Sequence, residues 1–515
     1  MACVETTSSR PYHLVVFGAS GFTGQFVVEE VARTVSEGPK GHLKWAVAGR
    51  SRQKLEKVLE QAAGVLSKPE LRSEVDIIVA DVGEPDSLAA MCKQAVIVLN
   101  CVGPYRFYGE PVVKACVENG AHHMDISGEP QFLEGTQLNY SSQAADKGVY
   151  IIGSCGFDSI PADMGVLYTR DQFKGTLTAL ESFLTVSAGS EGGCIHDGTW
   201  QSAVYGFADS QKLQSLRRKF NHKPLPTVGA KLKRRGALFF SNEIQQYTVP
   251  FMGSDPSVVR RSQRFLAEEY QATPVQYGAY AGIGGIGNII KMMFAGMMFW
   301  FLVKFSFGRN LLIKHPEFFS FGLFSKAGPS RKQMEASSFQ FAFYGEGYTE
   351  GQDPSQGKPN SKIRTLVQGP ECGYVATPIA LVQGALTFLN EPKALPKTGG
   401  VYTPGAAFAK TTLIDRLNKH GIQFFSALIC IISTRKFPTL EESYFIMRAL
   451  TRDEVYFQIS TSFLMVLPVF IPFHLVRNFP VSLWLDCTIN ALLVRLIAQL
   501  RQCFLAKDST RNSCV

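Results

Sequence analysis

The sequence predicts an α/β protein whose first part is a Rossmann-type, doubly wound parallel sheet. Three observations support this class: strand-like runs alternate with helix-like segments over roughly the first 160 residues, the runs are continuous in Val and Ile, and the first run leads into a glycine-rich turn. Continuous apolar runs are typical of strands that are covered on both faces. Strands that alternate with helices favour a parallel sheet. The strand-like runs are 13–18, 43–49, 75–81, 95–102, 121–127 and 149–153.

The first turn carries a motif for binding a dinucleotide. Three glycines stand at GxxGxxG spacing between the first strand and an amphipathic helix. Missing side chains let the backbone approach a pyrophosphate, whose charge the helix N-terminus stabilises. Glycines that only permit a tight turn are the alternative, but the strand before and the helix after favour the dinucleotide. We expect this turn to bind the cofactor through Gly18, Ser20, Gly21, Phe22, Thr23 and Gly24.

The end of the second strand indicates which dinucleotide binds. An NAD site usually places a carboxylate there to accept from the ribose 2′-hydroxyl, whereas this strand continues into Arg50 and Ser51, followed by Arg52 and Lys54. A guanidinium group matches a phosphate, so NADP(H) is favoured over NAD(H). Stacking of Arg50 on the adenine is the alternative, and it would leave the cofactor preference open.

Later strand ends are predicted to complete the cofactor site, because ligands of open α/β sheets lie beyond the carboxyl ends of the strands. Asp81 follows the third strand and is expected on the adenine side. The residues expected near the nicotinamide half follow the fourth strand and are Asn100, Gly103, Pro104 and Tyr105. Ordinary turn chemistry explains each of these residue types equally well when it is taken alone.

The sequence does not identify a catalytic residue. Hydride transfer needs a proton donor near the carbonyl, imine or alkene that is reduced. The candidate donors are Tyr105, His123, Asp125, Asp158 and His196, and none has a partner that spacing fixes. A structural role is favoured for His196, and a small buried thiol is favoured over a nucleophile for Cys155.

Composition limits the class of protein further. The chain has 515 residues, 45% of them apolar and 18% charged, so we expect two or three globular domains. The net charge of +9 is spread thinly, with basic clusters at 216–220 and 231–235. No recognised nucleic-acid module accompanies the charge, so a solvated face or an anionic membrane surface is expected rather than nucleic acid.

Cysteine usage and the first residues predict the compartment. The 11 cysteines contain no CxxC pair, which indicates reduced thiols and no metal site. The start of the chain lacks the basic and apolar regions of a secretory signal, so we expect a protein that is not secreted.

Five motifs resemble those of the saccharopine dehydrogenase-like oxidoreductases. They are GASGFTG, AGRS, NCVGPY with GEPVVKAC, HHMDISGE and GFDSIPADMG, and the resemblance covers roughly residues 10–423. It implies a Rossmann domain, a second α+β domain, a short C-terminal return, and a pyridine-nucleotide oxidoreductase activity. It also implies an association with lipid droplets and membranes, and a more distant similarity to bacterial reductases of complex-lipid assembly. The family name does not make saccharopine the substrate, since no side-chain cluster for a dicarboxylic amino acid is recognisable in 160–390.

An apolar segment at 281–305 is predicted to associate with a membrane. It is long enough to cross a hydrocarbon core of ~30 Å as a helix, but it begins with small residues and carries Lys291 near its middle. A monotopic anchor or a hairpin is therefore favoured over a span, and a buried core helix is the alternative. Trp300 and Lys304 suit a membrane interface.

These patterns predict four parts of the chain. They are an NADP-binding domain at 1–175, an α+β domain at 176–398, a turn and closing helix at 399–423 that return to the first domain, and an atypical extension at 424–515. The extension contains an apolar run at 456–476 that two prolines interrupt. A poorly folded extension is favoured, and a membrane tail is the alternative.

Two classes of function follow from the sequence. In the first, the protein is an NADP(H)-dependent oxidoreductase that acts on a lipid-related or otherwise unknown small-molecule substrate at the cytosolic face of a membrane or lipid droplet. In the second, it is a membrane-attached protein that binds the dinucleotide without turnover, as a sensor or scaffold. The substrate, the direction of hydride transfer and the oligomeric state, including a homo-oligomer, stay open.

Overall fold

The computed structural model of the protein describes residues 10–426. The interpretations that concern 1–9 and 427–515, among them most of the extension and its apolar run at 456–476, lie outside the described residues. The elements of the first half are β1 Tyr12–Phe17, α1 Phe22–Arg33, β2 Trp45–Gly49, α2 Arg52–Leu66, α3 Leu71–Glu74, β3 Asp76–Val79, α4 Pro85–Gln94, β4 Ala95–Asn100, α5 Tyr105–Asn119, β5 His122–Asp125, α6 Pro130–Asp146, β6 Tyr150–Ile152 and α7 Ile160–Gln172.

The second half continues the chain order. Its elements are β7 Thr176–Ser187, β8 Ile195–His196, α8 Asp197–Ala208, α9 Ser210–Lys219, β9 Phe239–Ser241, β10 Gln246–Pro250, α10 Asp255–Tyr270, β11 Gln276–Gly284, α11 Ile286–Leu302, α12 Ser306–Lys314, α13 Pro316–Phe319, β12 Phe324–Ser325, α14 Arg331–Glu335, β13 Ser338–Tyr348, β14 Ser361–Pro370, a π-helical turn Cys372–Ala376, α15 Thr377–Asn390, β15 Gly400–Tyr402, α16 Pro404–Phe408, α17 Leu413–Lys419 and β16 Gln423–Ser426.

The predicted parallel sheet is confirmed. Within the described chain its strands have the order β15, β6, β5, β4, β1, β2, β3, and every pair is parallel. Leu14 of β1 is in register with Trp45 of β2 on one side and with Ile97 of β4 on the other. The six strands predicted from the apolar runs are all present, and their ends differ from the predicted ends by a few residues.

The prediction that the return at 399–423 opens with a turn was wrong at its first residues. Gly400–Tyr402 form strand β15, which pairs in parallel with β6 and places Gly400 opposite Tyr150. A run of only three residues that contains glycine has no recognisable strand pattern. It becomes a strand because the open edge of β6 offers hydrogen-bond partners to a passing backbone.

The predicted second domain is built on a mixed sheet with the order β16, β14, β13, β7, β11, β10, β9. The pair of β7 and β11 is parallel, and the other neighbours are antiparallel. Phe341 and Phe343 of β13 belong to the same hydrophobic core as Leu14 of the first sheet. Strand β16 crosses the boundary that the sequence predicts between 423 and 424.

Helix α7 packs on the second sheet through a close contact at Gly165. A Cβ at this position would overlap the ring of Phe343, which is fully buried. The contact lets the helix lie near the sheet without a side chain between them. Helix α7, which follows strand β6 of the first sheet, is thereby packed directly on the second sheet.

The apolar segment divides into two elements. Residues 281–284 belong to β11, and α11 begins at Ile286. In α11, which the structure describes completely, Ile289 is the single buried residue, so the alternative of a core helix was wrong. Among the described residues, the helical run that is long and apolar enough to cross a membrane is Cys372–Asn390, and most of it is buried inside the protein.

The contact at Gly165 makes a prediction about stability. Gly165→Ala should lower the free energy of unfolding by about 1–3 kcal/mol, because the added methyl group must displace the Phe343 ring in a packed core. The midpoint of urea unfolding measures the change.

A matched control is available in helix α2. Gly64 is exposed and helical, and a Cβ there would meet no atom within 4 Å. Gly64→Ala should raise the unfolding free energy by about 0.5–1 kcal/mol through helix propensity. Equal losses at both positions would contradict the packing argument.

Candidate dinucleotide site

The turn between β1 and α1 brings strand and helix together through two glycines. Gly18 has a φ of 83°, and its N–H donates to the carbonyl oxygen of Ala48 at 2.9 Å. A Cβ at Gly18 would lie 2.7 Å from Cγ2 of Val102, and a Cβ at Gly24 would overlap the carbonyl oxygen of Gly18. Gly18 is therefore required for its left-handed conformation, and Gly24 for the close approach of the helix.

The N-terminus of α1 is open. Gly21 is the exposed N-cap residue, and no side chain in the described part of the chain caps the first N–H groups. Such free donors, together with the helix dipole, stabilise a pyrophosphate. Gly21 leaves space in front of the helix, beside the hydroxyl groups of exposed Ser20 and partly buried Thr23. These residues fit the phosphates of a dinucleotide.

The adenine side presents a cation at the end of β2. The side chain of Arg50 is 79% exposed, and its Nε lies 4.0 Å from Oδ2 of Asp81. A pair this long and this exposed is weak, so the guanidinium is available to a 2′-phosphate. Ser51 caps α2, since its Oγ accepts from the N–H of Lys54 at 3.4 Å. Asp81 accepts from the N–H of Gly83 at 2.9 Å and shapes the turn after β3.

The loop after β4 uses its polar side chains internally. Oδ1 of Asn100 accepts from the N–H of Val102 at 3.0 Å, and its amide nitrogen lies 3.3 Å from Nε2 of His123. The hydroxyl of Tyr105 donates to the carbonyl oxygen of Asn100 at 2.7 Å. Asn100 and Tyr105 are both buried, so they hold the loop in place. The backbone of this loop, with exposed Gly103 and with Pro104 at the N-cap of α5, is the part that a nicotinamide could meet.

Three of the five candidate proton donors are buried. Tyr105 donates within its own loop, and burial raises its pKa well above the usual value. His123 is fully buried, and burial lowers its pKa to about 3. Asp125 is 1% exposed and accepts from the N–H groups of Ser127 and Ser154 at 2.9 and 3.1 Å. Asp158 and His196 are the candidates that retain exposed surface.

Cys155 is a structural thiol. It is fully buried, its Sγ lies 3.4 Å from the carbonyl oxygen of Ile152, and burial raises its pKa well above the usual value. A neutral thiol without access to solvent is a poor nucleophile, so the interpretation favoured from the sequence agrees with the geometry.

The second domain packs against the side chain of Phe22, the first residue of α1. The ring of Phe22 stacks on His196 at a centroid distance of 4.6 Å and an interplanar angle of 15°, and it meets Tyr374 edge-on at 4.8 Å. The hydroxyl of Tyr374 accepts from the N–H of His196 at 2.8 Å. A Cβ at Gly328 would overlap the Phe22 ring. The sequence identified Phe22 and His196 separately, but no motif marks Tyr374 or Gly328.

Fold and site together define a pyridine-nucleotide-binding protein of the Rossmann class. The profile of the saccharopine dehydrogenase NADP binding domain matches residues 14–152. The saccharopine dehydrogenase-like oxidoreductase of Pongo abelii is 64% identical over 419 residues, which are 81% of this chain and 98% of the relative. This chain belongs to the saccharopine dehydrogenase-like oxidoreductases, and its cofactor is NADP(H), as the sequence predicts.

Two further proteins are similar over most of the chain. The lipid droplet localized protein of Caenorhabditis elegans is 40% identical over 422 residues, which cover 80% of this chain and 97% of the relative. The saccharopine dehydrogenase (L-Glu forming) of Saccharomyces cerevisiae aligns in structure with a TM-score of 0.47 and 11% identity, over 81% of this chain and 100% of the yeast chain.

The open turn predicts a loss of binding in Gly21→Leu. The new Cβ would lie 3.1 Å from the carbonyl oxygen of Gly18, and the rest of the side chain would fill the space in front of the helix. NADPH affinity, measured by fluorescence titration, should fall below detection while circular dichroism stays unchanged. Gly64→Leu, at an exposed position of α2, should bind normally. Full affinity in Gly21→Leu would remove this turn from the site.

The exposed guanidinium predicts the choice of cofactor. Arg50→Ala should weaken NADP(H) binding by about 1.5–3 kcal/mol, the size of a hydrogen bond to a charged group, and leave NAD(H) binding almost unchanged. Isothermal titration with both cofactors measures the difference. Arg72→Ala, at another exposed arginine, is the control. Equal losses for both cofactors would mean that Arg50 stacks on the adenine.

Proposed function

We propose that the protein is an NADP(H)-dependent oxidoreductase that acts on a lipid-related substrate at the cytosolic surface of a membrane or lipid droplet. The family and the cofactor support the redox activity. The nematode relative, which is named for its localisation to lipid droplets, supports the lipid-droplet part of the proposal. The observation that carries the proposal is an exposed apolar surface on α11 and the elements that follow it.

We call this surface the apolar platform. Its exposed side chains are Ile286, Ile290, Met293, Phe294, Met297, Trp300, Phe301, Phe305, Phe307, Phe318, Phe321 and Leu323. Exposed apolar patches of this kind mark sites of interaction with proteins or membranes. Nζ of Lys304 lies 3.1 Å from the centroid of the Trp300 ring, and this pairing of a cation with an aromatic ring suits a membrane interface.

A small core supports the platform from below. Trp200 of α8 contacts Phe299 of α11 with ring centroids 5.3 Å apart, and its Nε1 donates to the carbonyl oxygen of Leu312 at 2.9 Å. Val204 and Leu312 are fully buried in the same cluster. One side of α11 is thus fixed to the protein, and the opposite side is free to enter a lipid surface.

The size of the platform is sufficient for stable attachment. Burial of one large apolar side chain contributes about 1.5–3 kcal/mol, and a few inserted side chains exceed what a single short acyl anchor provides. If the protein stayed in water, the same side chains would remain hydrated, and the free energy of their burial would not be gained. Attachment would also restrict the enzyme to substrates that lie in or on lipid.

The second candidate is a membrane-attached protein that binds NADP(H) without turnover. It is kept because most of the polar groups at the strand ends are engaged in structure. The purified full chain, loaded with NADPH and mixed with a cellular lipid extract, distinguishes the two. A fall in cofactor absorbance supports the oxidoreductase, and constant absorbance with intact binding supports the second candidate.

The platform predicts where the protein is found in fractionated cells. Met293, Met297 and Phe301 are 62, 63 and 57% exposed, so changing all three to Asp adds charge to the lipid-facing side without opening the core. The triple variant should move from membranes and droplets to the cytosol and retain NADPH binding. A truncated wild-type chain that ends at Ser426, after β16, should stay on membranes because it retains the platform.

The control places the same charge on other exposed apolar side chains. Val65, Leu238 and Met252 are 47, 42 and 73% exposed and lie outside the platform. Their change to Asp should leave the distribution unchanged. A fully cytosolic chain ending at Ser426, or a platform variant that remains on membranes, would reject the lipid-surface part of the proposal.

A further inference from the structure

The loop after β6 places one carboxylate beside the residues that follow β5. Oδ2 of Asp158 would lie 2.6 Å from a Cβ at Gly128, and Gly128 follows the end of β5. The pyrophosphate turn lies at β1, and Arg50 lies beyond it at β2. Strands β5 and β6 are on the other side of β1, where the second half of a dinucleotide extends. Glycine at 128 leaves the space that the carboxylate occupies.

Asp158 differs from the buried carboxylates around it. Asp163 accepts from the hydroxyl of Ser262 at 2.6 Å and from the N–H of Gly405 at 2.7 Å. Within the described residues, the carboxylate of Asp158 has no hydrogen-bond partner and no paired cation, and its residue is partly exposed. Its environment raises its pKa, with burial as the cause. The group is therefore free to exchange a proton.

The backbone holds Asp158 in place at a conformational cost. Ser159 has a φ of 133°, which a residue with a side chain rarely adopts. Its Oγ lies 3.0 Å from Oγ of Ser254 and 3.1 Å from Oδ1 of Asp255, and Oγ of Ser254 donates to the carbonyl oxygen of Asp158. Strained residues that the surrounding structure fixes in this way cluster at functional sites.

We propose that Asp158 is the proton donor of the reduction. The inference rests on the proposed oxidoreductase function and goes beyond it by naming the acid. The reduced nicotinamide, when bound, supplies a hydride to one atom of a substrate double bond. Asp158 holds its proton at Oδ1, the oxygen farther from Gly128, and gives it to the other atom of that bond. The carboxylate that remains regains a proton from water, so charge and atoms balance.

His196 is the competing candidate, and its position favours another role. Its Nδ1 accepts from the N–H of Gly198 at 3.2 Å at the start of α8, and its ring stacks on Phe22 beside the pyrophosphate turn. Burial lowers its pKa, so the ring is neutral and a weak acid. This geometry suits contact with the phosphate or ribose region rather than proton delivery to the substrate.

The first test titrates the carboxyl group without a substrate. Infrared difference spectra between the wild type and Asp158→Asn isolate the Asp158 carboxyl band as a function of pH. The nicotinamide ring is positively charged in NADP⁺ and neutral in NADPH. The titratable groups that face Asp158 are Asp255 and Cys372, and burial raises the pKa of both well above the usual value, which favours their neutral forms. We expect the Asp158 band to vanish at lower pH with NADP⁺ than with NADPH.

Asp163→Asn provides the control, because Asp163 is buried and engaged in the structure. Its difference band should respond equally to the two cofactors. An Asp158 titration that ignores the charge of the nicotinamide, or one at the pH of a free aspartate in both complexes, would place the carboxylate outside the site and overturn the proposal.

The second test uses turnover of NADPH with the lipid extract. Asp158→Asn should retain NADPH affinity and lose turnover by on the order of 10²–10⁴-fold, the usual effect of removing a general acid. Asp158→Glu should recover part of the rate, and His196→Gln should change NADPH affinity more than the rate. Full turnover in Asp158→Asn would reject Asp158 as the proton donor and leave the proposed oxidoreductase function standing. Absence of turnover in the wild type would reject the oxidoreductase function itself.

Discussion

Helix α1 meets the carbonyl oxygen of Gly18 with no side chain between them, and the dinucleotide site depends on this contact. The absence of a Cβ at Gly24 allows the helix to begin directly beside the end of β1. This placement directs the free N–H groups of the helix beyond the sheet. It also sets the position of Phe22, whose ring contacts His196 and Tyr374 of the second domain. One close approach thus organises both the phosphate site and the contact between domains.

Burial explains why most of the polar residues at the strand ends are engaged in hydrogen bonds within the loops. A buried polar group without a partner costs free energy, so loops that carry such groups bind them internally. Asn100 and Tyr105 close one loop, and Asp125 accepts two N–H groups in the next. The pKa of Asp125 rises to about 7 because burial outweighs these hydrogen bonds. Asp158 is distinguished because its carboxylate accepts no hydrogen bond from the described residues.

Helix α8 links the loops of the dinucleotide site to the apolar platform. Ser202 donates to Oε1 of Glu129 at 2.9 Å, and Glu129 accepts from the N–H of Tyr105 in the loop after β4. On another side of the same helix, Trp200 and Phe207 contact Phe299 of α11. The helix whose far face forms the platform is therefore anchored, through α8, to the loops at the carboxyl ends of the first sheet.

The sequence by itself determined the parallel sheet, the dinucleotide turn and the preference for NADP(H), because each depends on local signals: continuous apolar runs, glycines at fixed spacing and an arginine where a carboxylate would bind NAD. It also marked 281–305 as apolar, but exposure is a property of packing, and the tertiary structure decided that α11 lies on the surface. Strand β15 was missed because three residues acquire strand structure only beside β6. The roles of Tyr105, Asp125 and Asp158 could not be separated by residue type, since all three follow strands. Tyr105 donates within its own loop, Asp125 accepts from Ser154 in the loop after β6, and the carboxylate of Asp158 has no partner among the described residues. Only the folded chain shows this difference.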